Sequence, residues 1–312
     1  MKYLVVSTAV TDDIVFPDGR RKEGLSGGAG IYALSGIKVW TDEVMIVTGV
    51  GRDYLPLHGE WFARNRLATA GLTVKGEHTP RTTVQYFADG EREETPRFGL
   101  DHYRTMEPTP ADLSRHCAAA AGVYIFKNAV PAFWEAVFDL KKRHGFKLMW
   151  EIAADAATPE NYPQVATISR HVDVFSINRE EAFHLFATRR TDEVVGRLRA
   201  LNLPLVFLRR GKETALLITN EKTYQAPVIR ETRVVDATGG GNSSSGAVLY
   251  GFCAGEDPLM AGIMGSISAG YSISQFGPPP LLDEELRGAA LRLAAKTYRE
   301  CREGHNANQS VR

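Results

Sequence analysis

Cysteine is scarce in this chain: three in 312 residues, at Cys117, Cys253 and Cys301. Odd in number and far apart, they form neither a disulfide frame nor a zinc site, and they fit a reducing compartment. Net charge is missing as well. Lys+Arg and Asp+Glu both number 37, so there is no basic excess for nucleic acid and no acidic solvating tail. No apolar run approaches the roughly 18 residues of a membrane helix. The opening MKYLVVSTAVTDDIVF reaches Asp12 and Asp13 too early for a signal peptide. A cytoplasmic protein without nucleic-acid or membrane partners is expected. Repeats and low-complexity tracts are also lacking.

What the chain does contain is a rhythm. KYLVVS (2–7), EVMIVTGV (43–50), GVYIFK (122–127), FKLMWEI (146–152), VDVFSI (172–177) and LPLVFLR (203–209) are apolar without strict alternation. That pattern belongs to strands covered on both faces, as in a parallel sheet. Helical stretches separate them. In PAFWEAVFDLKKRHG (131–145), Phe133, Val137, Phe138 and Leu140 recur at helical spacing, and Gly145 can end the helix. The alternation predicts a doubly wound α/β fold with a mostly parallel sheet flanked by helices.

Two segments break the rhythm. RTTVQYFADGERE (81–93) alternates around Asp89-Gly90, and DIVFPDGRRKEG (13–24) sets Asp18-Gly19 between short runs. Both carry hairpin signals. Together, from about 12–25 and 80–104, they predict a small antiparallel β lid on a body spanning 1–302. Residues 303–312 have no core pattern and are expected to fray.

VVDATGGGNSSSGAVLYGF (234–252) places three glycines between an apolar run and a long helical run. Glycines turn with positive φ and let N–H groups face inward. A following helix adds its free N–H groups and the positive end of its dipole. Gly239, Gly240 and Gly241 therefore read either as an anion hole or as a tight turn without a ligand. The loop is not a Walker A motif, since no Gly-Lys-Ser/Thr follows. Gly211-Lys212 is spoiled by Glu213, and Ser244 stands where a dinucleotide fingerprint has its third glycine.

The same stretch resembles the C-terminal signature of the ribokinase-like, or PfkB, family of sugar and nucleoside kinases, which runs Asp-Thr-x-Gly-Ala-Gly-Asp before a helix. Asp236, Thr238, Gly239 and Gly241 fit it. Further landmarks follow in order. LVVSTAVTDDIVF resembles the first strand with its substrate-binding Asp, at Asp12 or Asp13. SGGAGIYALSGI resembles the Gly-Gly region with Gly27 and Gly28, VTGVGRDYL the Gly-x-x-Gly-x-Asp stretch, and VDVFSINREEAFHLF the Asn-x-x-Glu motif with Asn178 and Glu181. VFLRRGKETALLI keeps Gly211 of a Thr-x-Gly motif. The resemblance covers roughly residues 2 to 300.

The resemblance implies ATP and Mg2+ as cofactors and a sugar, sugar acid or nucleoside as substrate. The three glycines would hold the transferred phosphoryl group. Asn178 and Glu181 would place magnesium and phosphate through water. Asp236 would face the metal or the loop backbone. Thr238, Gly211 and the helix from Ser266 to Gln275 would border the nucleotide. Asp12 or Asp13, with Gly27 and Gly28, would hold substrate hydroxyls. The lid edge would pair two copies into a homodimer. Blander readings stand beside these: a solvated turn at Asp12 and Asp13, and a helix capping box at Asn178 and Glu181.

The chain also departs from the family. Asn242 stands at the position of the catalytic Asp, which takes the substrate proton. Loss of a general base typically costs ~10²–10⁴ in rate. Tyr32 replaces a common Asn, Arg209 a Thr, Glu151 an Asp, and Ser244 and Ser245 a bulky residue and a small one. Lys127, at a strand end, is either a pocket residue or a solvated one. Three functions compete: a slow or altered kinase, a non-catalytic pseudokinase, and a different phosphate-handling enzyme on the same fold.

Overall fold

The computed structural model describes residues 1–88, 92–229 and 232–309. The chain starts with β1 (Tyr3–Val6) and leaves it for a hairpin of β2 (Val10–Val15) and β3 (Arg21–Gly27). It returns through α1 (Ala29–Lys38), β4 (Val44–Gly51), α2 (Tyr54–Arg64) and β5 (Leu72–Gly76). A second hairpin, β6 (Arg81–Tyr86) and β7 (Arg92–Pro96), precedes α3 (Gly99–Met106) and α4 (Pro110–Ser114). Strict alternation follows, with β8 (Gly122–Lys127), α5 (Pro131–His144), β9 (Lys147–Ile152), α6 (Tyr162–Ser169) and β10 (Val174–Asn178). Helices α7 (Arg179–Leu185) and α8 (Thr191–Ala200) lead to β11 (Leu205–Arg209), β12 (Ala215–Ile218) and β13 (Thr223–Ala226). The chain finishes with α9 (Gly240–Cys253), α10 (Pro258–Ile273) and α11 (Glu284–Gln309).

Nine strands form one sheet in the order β13-β12-β11-β10-β9-β8-β1-β4-β5. The pairs from β11 to β5 are parallel, and β12 and β13 add antiparallel edges. The unbroken apolar runs are explained by burial on both faces. Leu4 and Val6 join one core with Trp134, Val137 and Leu140 of α5. Tyr3 and Val5 join the other with Ile31 and Leu34 of α1 and Val248 and Leu249 of α9. Each fully buried aliphatic chain of this kind contributes about 1.5–3 kcal/mol. Gly145 ends α5 in the left-handed conformation, with φ 75°.

The sheet grows from β1 toward β4 and β5, then restarts with β8 on the other side of β1. Open α/β sheets hold ligands at such a reversal, outside the C-terminal strand ends. The lid rises there. Its four strands run β3-β2-β6-β7. Each hairpin is antiparallel within itself, and the two join through a parallel β2–β6 pairing. The Asp89-Gly90 turn lies outside the described residues.

Helix α11 runs past residue 302 to Gln309, where fraying was expected from 303. A helix already nucleated over GAALRLAAKTYRECREG extends cheaply, one hydrogen bond for each residue added. Among the described residues no helix is long and apolar enough to cross a membrane.

Candidate active site

Gly239 caps α9 with φ 76°. This left-handed turn aims the first N–H groups of the helix outward, where no carbonyl of the helix can accept them. The loop divides two cavities. Gly240 and Gly241 line one of about 360 Å³, with Arg209, Gly211, Ser244, Ser266 and Ile273 among its walls. Thr238, Gly239 and Asn242 line the other, of about 400 Å³, with Asp12, Gly28, Tyr32 and Tyr103. The lid residues Thr82, Val84 and Glu94 close over the second cavity.

Close approach explains the glycines. A Cβ on Gly239 would overlap the ring of Tyr32. One on Gly241 would lie 2.5 Å from Arg209 Nη1. One on Gly27 would collide with the Asp12 carboxylate, and Gly28 (φ 91°) has the Thr8 carbonyl 2.7 Å from the same place.

The structure separates the two candidate aspartates. Asp12 lines the second cavity. Asp13 instead accepts two hydrogen bonds from the Arg81 guanidinium, at 2.5 and 2.7 Å, and one from the Gly24 N–H. Neighbouring residues of a strand face opposite sides, so one of the pair had to turn away.

Beneath the loop lies a polar cluster. Glu151, at the end of β9, is 1% exposed. Its Oε1 accepts from Asn242 Nδ2 at 2.9 Å and faces Arg209 Nη1 at 3.1 Å. Its Oε2 accepts from the Tyr124 hydroxyl at 2.9 Å. Burial, with the Glu151 charge adding to it, pushes the Tyr124 hydroxyl well above its ordinary pKa, so it stays a donor. Arg209 Nε donates to Ser176 Oγ at 3.1 Å. Its Nη2 has no hydrogen-bond acceptor among the described residues, and Glu181 Oε2 stands 3.6 Å away.

Asn178 and Glu181 form a capping box on α7: each side chain accepts from the other's backbone N–H at 2.8 Å. Burial raises the Glu181 pKa despite the opposing charge of Arg209. Asp236 is spent on its neighbours too. Its Oδ1 accepts from the Thr238 N–H and hydroxyl at 2.9 and 2.7 Å, and from the Tyr86 hydroxyl of the lid at 2.8 Å.

Two expected residues sit elsewhere. Lys127 is ion-paired with Glu107 and lines a separate cavity of about 190 Å³ beside Ser7, Asn128 and Asp155. Gln275 folds its amide back onto the Tyr271 and Ser272 carbonyls, at 2.7 and 2.9 Å, and finishes α10; Ser266 alone of that pair lines the first cavity. Sequence reasoning missed Tyr86 and Tyr103. For Tyr86 the signal was available: Thr82, Val84 and Tyr86 alternate onto one face of β6. Tyr103 reaches Thr8 Oγ1 at 2.8 Å from 95 residues away, and nothing local marks it.

Comparison with known proteins agrees with this geometry. The model of the pfkB family carbohydrate kinases matches residues 19–284. A cytidine kinase of Thermococcus kodakarensis is 22% identical over 260 residues, covering 81% of this chain and 89% of its own. The solved structure of adenosine kinase from Sinorhizobium meliloti superposes with a TM-score of 0.76 at 19% identity, covering 93% of this chain and 98% of that one. A putative ribokinase II from E. coli in complex with ATP and Mg2+ does so with a TM-score of 0.75 at 14% identity, covering 93% and 99%. The fold is therefore ribokinase-like, with its glycine loop between two cavities, and the chain belongs to the PfkB family of carbohydrate kinases.

Proposed function

We propose that this chain is an ATP-dependent phosphotransferase acting on a hydroxyl of a sugar, sugar acid or nucleoside. One observation carries the reading: a single glycine loop forms the common wall of two cavities. A nucleotide in the first places its terminal phosphate against Gly240 and Gly241. An acceptor in the second presents a hydroxyl to Asn242, with Asp12 on further hydroxyls. The family, the cytidine kinase relative and the ATP complex of the E. coli protein support this assignment.

Asn242 does not serve as a base here. Its Nδ2 is held by Glu151, so Oδ1 is the atom left to accept from the substrate hydroxyl. Phosphoryl transfer is largely dissociative, and most of its catalysis is positioning and charge stabilisation. The hydroxyl proton leaves late, as the new P–O bond forms, and a peripheral phosphoryl oxygen takes it. Magnesium bound with the nucleotide would neutralise phosphate charge. Among the described residues no cluster of His, Cys, Asp or Glu could cage a metal alone. That suits Mg2+, which keeps waters and uses substrate phosphates, with Glu181 assisting through water.

The test is calorimetric titration with ATP and magnesium, followed by ADP release against pooled sugars and nucleosides. Binding with turnover is expected. Binding without turnover selects the pseudokinase reading, which Asn242 motivates. Absence of ATP binding removes both.

The lid contributes through Tyr86. Its hydroxyl ties β6 to Asp236, and its ring stacks with Phe16, which packs edge-on against Phe276. Tyr86→Phe keeps the stacking and removes one hydrogen bond, worth about 1 kcal/mol. A rise of about fivefold in acceptor KM is expected, with Tm nearly unchanged; an unchanged KM means that the bond does not hold the lid. Strands β3 and β7 are the outer strands of the lid, and pairing of one such edge with a second copy gives the homodimer that we propose. A monomer mass by light scattering would remove it.

A further inference from the structure

We infer that Glu151 is a positioning residue that fixes the amide of Asn242 in one orientation and makes a second carboxylate at position 242 incompatible with the native site. Its activity arm rests on the phosphotransferase reading; its stability arm does not.

The geometry leaves little freedom. The two carboxylate oxygens of Glu151 accept hydrogen bonds from Tyr124 on β8 and Asn242 on α9 and pair with the Arg209 guanidinium on β11. The Asn242 amide can be placed in only one way. With Nδ2 toward Glu151 Oε1, the contact at 2.9 Å is a hydrogen bond. Turned over, two acceptor oxygens would face each other at that distance in a buried site. The orientation is thus set by the network, and Oδ1 is the atom directed away from Glu151.

Three departures from the family pattern then become one physical unit. Glu151 is one methylene longer than the Asp of the family pattern, and its carboxylate reaches hydrogen-bond distance of position 242. Arg209 supplies the cation that holds it. Asn242 supplies a donor where an acid would supply a second negative charge. An aspartate at 242 would set its carboxylate against Glu151 Oε1, and like charges at hydrogen-bond distance cannot both ionise without a large penalty. The other charged group close by, Glu181 on α7, is also negative and gives no relief, while Arg209 is already shared between the two acids.

Asn242→Asp alone is therefore expected to damage the protein, and moving the acid rather than adding one is expected to rescue it. The experiment compares the parent, Asn242→Asp, and the double variant Asn242→Asp/Glu151→Gln by thermal unfolding from pH 5 to 8, with ADP release alongside. In the single variant the shared pair has a folded-state pKa raised above its unfolded value. Its stability is then present at low pH and is lost as pH rises through the folded value. We expect a Tm roughly 5 °C or more below the parent at pH 8, recovering toward pH 5. In the double variant the introduced glutamine amide donates to the introduced aspartate, so the pH slope should vanish and Tm should return to within about 2 °C of the parent. If the single variant matches the parent across the pH range, or the double variant is no better than the single, the inference is overturned. ADP release at least about tenfold faster in the double variant than in the parent would show the base restored. If no variant turns over while the Tm pattern appears, the positioning inference stands and the phosphotransferase reading falls.

Discussion

Gly239→Ala is expected to reduce ADP release by at least about 100-fold and to lower Tm by roughly 5–10 °C. Two effects combine. At φ 76° an alanine is strained by about 1–2 kcal/mol. Its Cβ would also overlap the ring of Tyr32 on α1, which is 3% exposed. A buried ring cannot give way at low cost. The loop must move instead, and the N–H groups proposed to hold the phosphoryl group lose their geometry; removal of one such donor costs ~10²–10³ in rate.

Gly145→Ala separates the two effects. Gly145 has the same left-handed conformation, φ 75°, but no atom lies within 4 Å of the place its Cβ would occupy. It is expected to lose about 1 kcal/mol of stability and no turnover. If Gly239→Ala kept turnover within about threefold of the parent, the loop would not be the phosphoryl site.

The glycine loop and the sheet were legible in the sequence because both leave local marks. Strands β1, β4, β8, β9, β10 and β11 are buried on both faces, so they read as apolar runs, whereas β5, β12 and β13 are short edge or near-edge strands and gave no comparable signal. Asp18-Gly19 showed the first lid hairpin by its turn chemistry alone. The cluster beneath the loop was not legible in this way. Glu151, Tyr124, Arg209 and Asn242 come from four elements, 91 residues separating Glu151 from Asn242; Glu151, Arg209 and Asn242 appeared only as isolated departures, and Tyr124 only within a strand run. Lys127 and Gln275 show the converse: both are polar residues at element ends, and a tertiary partner, Glu107, decided the use of the first while the last turn of α10 took up the second.

Arg209→Met is expected to be the most destabilising change in the site that leaves the loop sequence intact. The guanidinium stands between Glu151, at 3.1 Å, and Glu181, at 3.6 Å. Methionine has similar length and no charge, so packing is largely kept while two buried carboxylates lose their cation. Breaking a buried pair from one side costs about 3–5 kcal/mol, because the remaining charge stays desolvated. The loss should grow with pH. Burial already raises the Glu181 pKa above its ordinary value, and the charge of Arg209 opposes that rise. Without the cation the value climbs further. A carboxyl group with a raised folded-state pKa contributes stability at low pH and loses it as pH rises through that value. Tm of Arg209→Met should therefore fall from pH 5 to pH 8 more steeply than that of the parent. Arg209→Lys separates charge from shape: one ammonium cannot reach Glu151, Glu181 and Ser176 together, so an intermediate Tm is expected. Binding supplies a second readout. Arg209 lines the cavity proposed for the nucleotide, and its Nη2 has no hydrogen-bond acceptor among the described residues. A donor phosphate bound there would provide one, and a charged hydrogen bond is worth about 1.5–3 kcal/mol. Calorimetry should show ATP binding at least about tenfold weaker in Arg209→Met under conditions where the variant is folded. Unchanged affinity would make Arg209 purely a counter-charge for Glu151 and Glu181, with no hand on the nucleotide.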